Sequence, residues 1–63
     1  MVCTLAKVRK AKGVTQTRLA EMTKINRVSI AKYETGRVIP SVRNVMKLAE
    51  ALGVCFSDII KDD

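Results

Sequence analysis

Residues 13–36 read GVTQTRLAEMTKINRVSIAKYETG, and they contain two short units of the same design. In the first unit Val14 precedes the polar residue Thr15, and Leu19 follows Thr15 four positions later. The second unit repeats this arrangement eleven residues further on, around Asn26. Thr and Asn are favoured N-caps, and apolar residues on the two sides of a cap form a hydrophobic staple. Each unit therefore predicts the start of a helix.

The two predicted helices span residues 16–23 and 27–35, with a turn at residues 23–25 between them. Gly36 follows the second helix, at a position where a left-handed C-cap favours glycine. Two short helices joined by a turn of three or four residues define a helix-turn-helix. The stretch therefore predicts a helix-turn-helix over about residues 16–35.

Three more helices are predicted outside this unit, over residues 2–12, 42–52 and 56–61. Ser41 is a good N-cap for the second of them, whereas Cys55 is a poor one for the last. The sequence lacks the alternation of apolar and polar residues that is typical of strands. The predicted fold class is therefore all-α, with five short helices around one compact core. The predicted core residues are apolar and come mostly from the helices: Leu5, Val8, Leu19, Ala20, Ile30, Tyr33, Val45, Leu48, Leu52, Val54 and Ile59.

Length and composition exclude several classes of protein. A chain of 63 residues is the size of one domain, residues 1–63. Cys3 and Cys55 are too few for a disulfide framework, and the chain has no histidine for a metal site. Two aromatic residues, Tyr33 and Phe56, are too few for a single-strand stacking platform. Without histidine, a glycine-rich phosphate loop or a spaced carboxylate pair, we expect no enzyme, no catalytic residues, no cofactor and no metal.

The positive charge is concentrated in one part of the chain. Residues 1–43 contain ten Lys or Arg and two Glu, a net charge of +8, whereas residues 44–63 contain two Lys and four Asp or Glu, a net charge of −2. A polyanion docked on one face explains this asymmetry, and so does an ordinary basic surface. No apolar run approaches the roughly 20 residues of a membrane span, and residues 1–12 do not read as a signal peptide. We therefore expect a cytoplasmic protein.

A set of short motifs runs in a characteristic order along the chain. The motifs are Gly13-Val14-Thr15-Gln16, Leu19-Ala20-Glu21, Ile25-Asn26-Arg27, Ile30, Tyr33-Glu34-Thr35-Gly36, Pro40-Ser41 and Leu48-Ala49-Glu50-Ala51-Leu52-Gly53-Val54. Their order and spacing resemble the lambda-repressor-like (Cro type) helix-turn-helix family over about residues 5–60. The resemblance implies a five-helix DNA-binding domain whose third helix lies in the major groove. It also implies sequence-specific binding of double-stranded DNA by a transcriptional regulator, in particular a repressor.

The sequence departs from this family at three places. Lys24 stands in the turn, where the family often has glycine, and a non-glycine residue in a left-handed turn costs about 1 kcal/mol. Val38 and Ile39 are apolar where the family is often polar, and Cys55 replaces the usual cap. These departures lie outside the third helix, so they affect stability and partner contacts more than DNA binding.

The resemblance assigns base contacts to the start of the third helix and to positions one turn further on. In this sequence those residues are Arg27, Val28, Ser29 and Lys32. Arg27 can pair with O6 and N7 of guanine or, alternatively, contact a phosphate. Val28 is expected to touch the methyl group of thymine. Lys32 can reach either a base edge or a phosphate.

Five residues that flank the groove are expected to contact phosphates. These residues are Thr15, Gln16, Thr35, Arg37 and Arg43. Gln16 opens the second helix, where backbone N–H groups and the side-chain amide can both donate to a phosphate. The family uses this Gln in that way, and the alternative role is a helix cap. Lys10 and Lys12 are weaker candidates, since a lysine is more often a solvated charge.

The family commonly joins the positions of Arg9 and Glu34 by an ion pair between the first and third helices. Glu34 lies in the basic part of the chain, where a free carboxylate would repel DNA. Because pairing with Arg9 removes that repulsion, we expect a structural ion pair here.

A homodimer on a palindromic operator is expected, because one helix reads only a few base pairs. The interface should leave the basic part free, which favours the C-terminal end with Phe56 and Cys55. Phe56 can alternatively cover the core. The alternative function is a protein-interaction module, such as an antitoxin or partner subunit, using apolar Val38, Ile39 and Phe56. A membrane-bound amphipathic peptide is disfavoured, because the apolar stripes are needed for the core.

Overall fold

Five helices and a small sheet are present in residues 2–61, the part of the chain that the computed structural model describes. The elements in chain order are β1 (Val2–Cys3), α1 (Leu5–Ala11), α2 (Gln16–Thr23), α3 (Arg27–Glu34), α4 (Val42–Leu52), α5 (Phe56–Ile59) and β2 (Ile60–Lys61). The predicted helical class is confirmed. Met1, Asp62 and Asp63 belong to the predicted domain of residues 1–63 but lie outside the described residues.

The first and last helices are shorter than predicted. α1 begins at Leu5, three residues later than expected, and α5 ends at Ile59, two residues earlier than expected. The remaining residues form β1 and β2, which pair antiparallel with Cys3 opposite Ile60. The backbone N–H of Thr4, which follows β1, donates to the carbonyl oxygen of Ile59, the last residue of α5, at 2.7 Å. This hydrogen bond joins the end of β1 to the end of α5. The predicted helix boundaries were wrong because this pairing joins opposite ends of the chain, which no local pattern reveals.

The N-caps predicted for α2, α3 and α4 are all present. Thr15 Oγ1 accepts a hydrogen bond from the N–H of Arg18 at 3.0 Å, and Asn26 Oδ1 accepts one from the N–H of Val28 at 2.8 Å. Ser41 caps α4 in the same way. Each cap pairs an N–H group that the first turn of a helix otherwise leaves unsatisfied. The three central helices therefore begin where their local sequences place them.

The turn between α2 and α3 contains Lys24 in the left-handed conformation, with φ of 61°. The expected strain at this position is therefore present. Thr23, which is buried, ties the turn together: its hydroxyl donates to the carbonyl oxygen of Leu19 at 2.8 Å and accepts from the N–H of Ile25 at 3.3 Å. These bonds hold the link that orients α3 on α2.

The core lies between the helices and consists of apolar side chains. The buried residues are Leu5, Leu19, Ile25, Ile30, Tyr33, Val45, Leu48, Ala49, Leu52 and Ile59. Ile25 and Ala49 are additions to the predicted core. The predicted core residues Val8, Ala20 and Val54 are half-buried and pack against it. α3 packs against α2 and α1. The side of α3 that faces away from these two helices is exposed to solvent, and it is called the open face below.

Candidate nucleic-acid interface

The open face of α3 combines positive charge with one apolar side chain. Ile30 and Tyr33 on its other face are buried in the core, whereas Arg27, Val28 and Lys32 are exposed. Val28 is 53% exposed although it is apolar. Val28 and Lys32 are one helical turn apart and so lie on the same side. This face therefore presents two cations and a branched apolar group to whatever docks on it.

Both ends of α3 are held in place by hydrogen bonds. The Asn26 cap fixes the first turn, and Asn44 Nδ2 of α4 donates to Tyr33 Oη at 3.0 Å near the last turn. Ser29, also a predicted base contact, is half-buried between them. The open face is therefore presented by a helix whose orientation does not depend on a ligand.

Arg9 of α1 and Glu34 of α3 form the expected ion pair. Arg9 Nε lies 2.6 Å from Glu34 Oε2, and Arg9 Nη2 donates to Glu34 Oε1 at 3.2 Å. Arg9 Nη1 donates to the carbonyl oxygen of Val14 at 2.7 Å. The two charged side chains are only 11% and 7% exposed. The guanidinium therefore ties together α1, the segment before α2, and the end of α3.

Gln16 joins Arg9 and Glu34 in one hydrogen-bonded cluster, and its contact with Glu34 was not predicted from the sequence. Its Nε2 donates to Glu34 Oε1 at 2.9 Å. Burial by itself raises the pKa of the Glu34 carboxyl, but the hydrogen bonds from Arg9 and Gln16, together with nearby positive charge, hold the pKa below its ordinary value. The hydrogen bond to Glu34 raises the pKa of Arg9 in turn. The carboxylate is therefore ionised and compensated inside the protein.

The predicted phosphate contacts lie at helix ends and in the loop after α3. Thr15 and Gln16 are at the start of α2, and Gln16 is half-buried, with one amide N–H engaged by Glu34. Thr35 and Arg37 follow α3 and are exposed. Arg43 is exposed in the first turn of α4. Thr15, Thr35 and the two arginines are thus accessible to a ligand, whereas Gln16 has a structural role as well.

Of the two predicted dimer residues, Phe56 lines an apolar groove and Cys55 does not. Phe56 is 39% exposed, and Cys55 is exposed beside it. The groove runs between the loop before α4, α4 itself and the last residues, and its lining residues are Ile39, Pro40, Val42, Val45, Phe56, Ser57 and Ile60. Val42 and Met46 are 64% and 59% exposed, and neither was predicted to belong to an interface. Their i, i+4 spacing on α4, off the buried stripe, is the signal that identifies them.

Within residues 2–61 no three His, Cys, Asp or Glu side chains are placed to share a metal ion. Cys3 and Cys55 are free thiols. None of the helices in the described part combines the length and the apolar character that crossing a membrane requires.

Comparisons with known proteins agree with this geometry. Residues 5–59 match the helix-turn-helix family. The chain is 37% identical over 57 residues to the SPbeta prophage-derived uncharacterized HTH-type transcriptional regulator YonR of Bacillus subtilis, covering 90% of this chain and 53% of that protein. It is 36% identical over 55 residues to the cryptic phage CTXphi transcriptional repressor RstR of Vibrio cholerae, covering 87% of this chain and 49% of that protein. The chain thus spans about half the length of these relatives.

Proposed function

Because the chain belongs to the lambda-repressor-like helix-turn-helix family, we propose that it binds double-stranded DNA by sequence and represses transcription. The observation that carries this proposal is the open face of α3, where Arg27, Val28 and Lys32 are exposed on a helix held at both ends. An exposed valine between two cations suits a major groove, where the cations face phosphates or base acceptors and the valine faces thymine methyl groups. In this proposal the repressor occupies its operator in the cytoplasm and catalyses no reaction.

The proposed DNA contacts follow from the placement of the side chains. Bases are read from α3, by Arg27, Val28, Ser29 and Lys32. Phosphates are held from both sides of the groove, by Thr15, Gln16, Thr35, Arg37 and Arg43. The pairing of Glu34 with Arg9 and Gln16 supports this arrangement. It neutralises the negative charge that would otherwise repel the DNA phosphates beside α3.

The proposed assembly is a homodimer on a palindromic operator. The apolar groove beside Phe56 is its interface, since Ile39 and Val42 line it with exposed apolar surface that a monomer would leave in water. Met46, one turn after Val42 on α4, adds to this surface. All the residues that line the groove are uncharged, so pairing there does not cover the cations of the basic face. A two-fold dimer would place its two α3 helices about one DNA turn apart, roughly 34 Å.

A salt titration on duplex DNA tests the proposed function. Sites are first selected from a random duplex library, and binding to the selected duplex is then followed by fluorescence anisotropy at several salt concentrations. A dimer that neutralises four phosphates with Arg37 and Arg43 should give a slope of log K against log salt of about −4. Arg43→Ala should reduce the slope by about 2 in the dimer, one contact per subunit.

Lys7→Ala is the matched control, because Lys7 is an exposed cation of α1 that lies beside Val54 and Asp58, outside the proposed surface. It should leave the slope unchanged. Failure to enrich any duplex sequence, or equal affinity for single strands, would contradict the proposal. Capture of a different protein in the apolar groove, without DNA binding, would favour the interaction module instead.

A further inference from the structure

The side chains that α3 exposes donate hydrogen bonds but do not accept them. Arg27 and Lys32 carry donors only, and Val28 offers only methyl groups. Ser29 is half-buried, and its hydroxyl both donates and accepts, so it favours no particular base. The open face of α3 is therefore a surface of donors and methyl groups.

Glu34, the carboxylate of α3, is not free to accept a hydrogen bond from a base. Arg9 engages both of its oxygens, at 2.6 and 3.2 Å, and Gln16 engages one of them at 2.9 Å. The side chain is only 7% exposed. Carboxylates read cytosine by accepting from its N4 amino group. α3 therefore has no carboxylate available for that contact.

The three amide side chains of the chain are engaged within the protein as well. Gln16 donates to Glu34, Asn26 Oδ1 caps α3, and Asn44 donates to Tyr33 Oη. Asn and Gln are the side chains that read adenine, through its N6 amino group and N7. All three lie outside α3, and an internal contact orients each of them. An amide contact to adenine from α3 is therefore absent.

We propose that α3 selects guanine and thymine at the base edges it faces and leaves the amino groups of adenine and cytosine unread. Guanine presents the acceptors N7 and O6 in the major groove, and thymine presents the acceptor O4 and a methyl group. Adenine shares the acceptor N7 with guanine, so a donor to N7 does not distinguish the two purines. The groups that distinguish adenine and cytosine are amino groups, which require an acceptor that the exposed side chains of α3 lack. This inference rests on the proposed function and adds to it the chemical class of the bases that are read.

Replacement of single atoms in the selected duplex tests the inference. Each guanine of a half-site is replaced in turn by 7-deazaguanine, which lacks N7, each thymine by uracil, which lacks the methyl group, and each adenine by purine, which lacks the N6 amino group. At one or more guanines the affinity should fall about five-fold or more. At one or more thymines it should fall about four-fold, the value of one buried methyl group. At every adenine the change should stay below about two-fold.

The outcomes separate this inference from the proposed function. If no duplex is bound, both are overturned. If a selected duplex is bound but replacement of an adenine by purine weakens it about five-fold, only the inference is overturned. The same holds if no 7-deazaguanine and no uracil has an effect.

Two variants of Val28 provide a second readout on the protein side. Val28 is exposed, so its replacement leaves the core intact, and circular dichroism checks this. Val28→Ala should abolish the difference between the thymine and uracil duplexes, which is the coupling in a double-mutant cycle. Val28→Gln places a free amide on the open face and should select new sites in which replacement of one adenine by purine now weakens binding. Unchanged base preferences in both variants would contradict the inference.

Discussion

Arg9 and Glu34, from the first and third helices, are joined by an ion pair with Nε and Oε2 2.6 Å apart. The same guanidinium donates to the carbonyl oxygen of Val14, and Gln16 donates to the same carboxylate. The cluster thus connects the start of α2, where a phosphate is expected, to the end of the helix that is expected to read bases. One set of hydrogen bonds therefore supports both the fold and the geometry of the proposed interface.

Removal of the carboxylate should destabilise the protein in the absence of DNA. Glu34→Ala leaves the Arg9 guanidinium largely buried without its partner, which should cost about 3 kcal/mol, at the lower end of the range for breaking a buried pair. For a domain of this size the melting temperature should fall by about 10–20 °C. Glu21→Ala, which removes an exposed carboxylate of α2, is the control and should melt almost as the wild type does. Equal melting curves for Glu34→Ala and the wild type would show that the pair is not stabilising.

The free energy of unfolding should decrease at acidic pH because Glu34 becomes protonated. Its pKa is lower in the folded protein than its ordinary value, so its contribution is fully present above the unfolded pKa of about 4.3 and is lost as the pH falls through the folded pKa. Urea unfolding of wild type and Glu34→Gln should therefore differ most near pH 7 and converge below about pH 4. A difference that persists undiminished at acidic pH would mean that the carboxylate charge is not its source.

Arg27→Ala should weaken binding to the preferred duplex by about 1–3 kcal/mol and relax the choice at one base pair. The reason is that Arg27 stands exposed at the start of α3, where a bidentate contact to guanine is expected. Repeating the library selection with the variant measures the change in preference at each position. If every sequence loses affinity equally, Arg27 contacts a phosphate instead.

Gln16→Ala should affect both binding and folding. A phosphate contact carries no sequence information, so all duplexes should be weakened alike. The hydrogen bond to Glu34 is also lost, which should cost about 1.5 kcal/mol of stability. Thr15→Val, which removes only the neighbouring hydroxyl at the cap, separates the loss of the cap from the loss of the amide. An unchanged melting temperature for Gln16→Ala would contradict the structural part of this prediction.

Substitutions in the apolar groove should convert the protein into a monomer. Val42→Asp places a charge on an exposed wall of the groove and should therefore oppose dimer formation. The fold should be preserved, because an acidic residue is favourable in the first turn of α4. Phe56→Ala should act in the same direction by removing the aromatic side chain. Both variants should remain helical and lose affinity for the full palindrome. Sedimentation equilibrium at micromolar concentration is the measurement.

Val28→Asp is the control for the dimer prediction, because it makes the same change at an exposed valine far from the groove. It should remain dimeric while losing DNA binding. A wild type that sediments as a monomer, or a Val42→Asp variant that dimerises as tightly as the wild type, would rule out this interface.

The sequence predicts the central part of the fold because the interactions there are local. Thr15, Asn26 and Ser41 each cap a helix with a bond to a residue two or three positions away, so the caps are visible in the sequence itself. The left-handed turn at Lys24 is bounded by two such helices and follows from their spacing. The predicted limits of α2 and α4 coincide with the observed ones for this reason.

The remaining features depend on contacts between distant residues. The sheet between Cys3 and Ile60 replaces helical ends that the local pattern favours. The bond from Asn44 to Tyr33, and the exposure of Val42, follow from how α4 packs beside α3 and α5. Apolar spacing shows which residues are able to face a core, but not which of them another element covers. The sequence by itself determined the helix-turn-helix and the charge of its surface, whereas the tertiary structure decided which polar groups remain free for DNA, because hydrogen bonds between distant elements had already engaged the others.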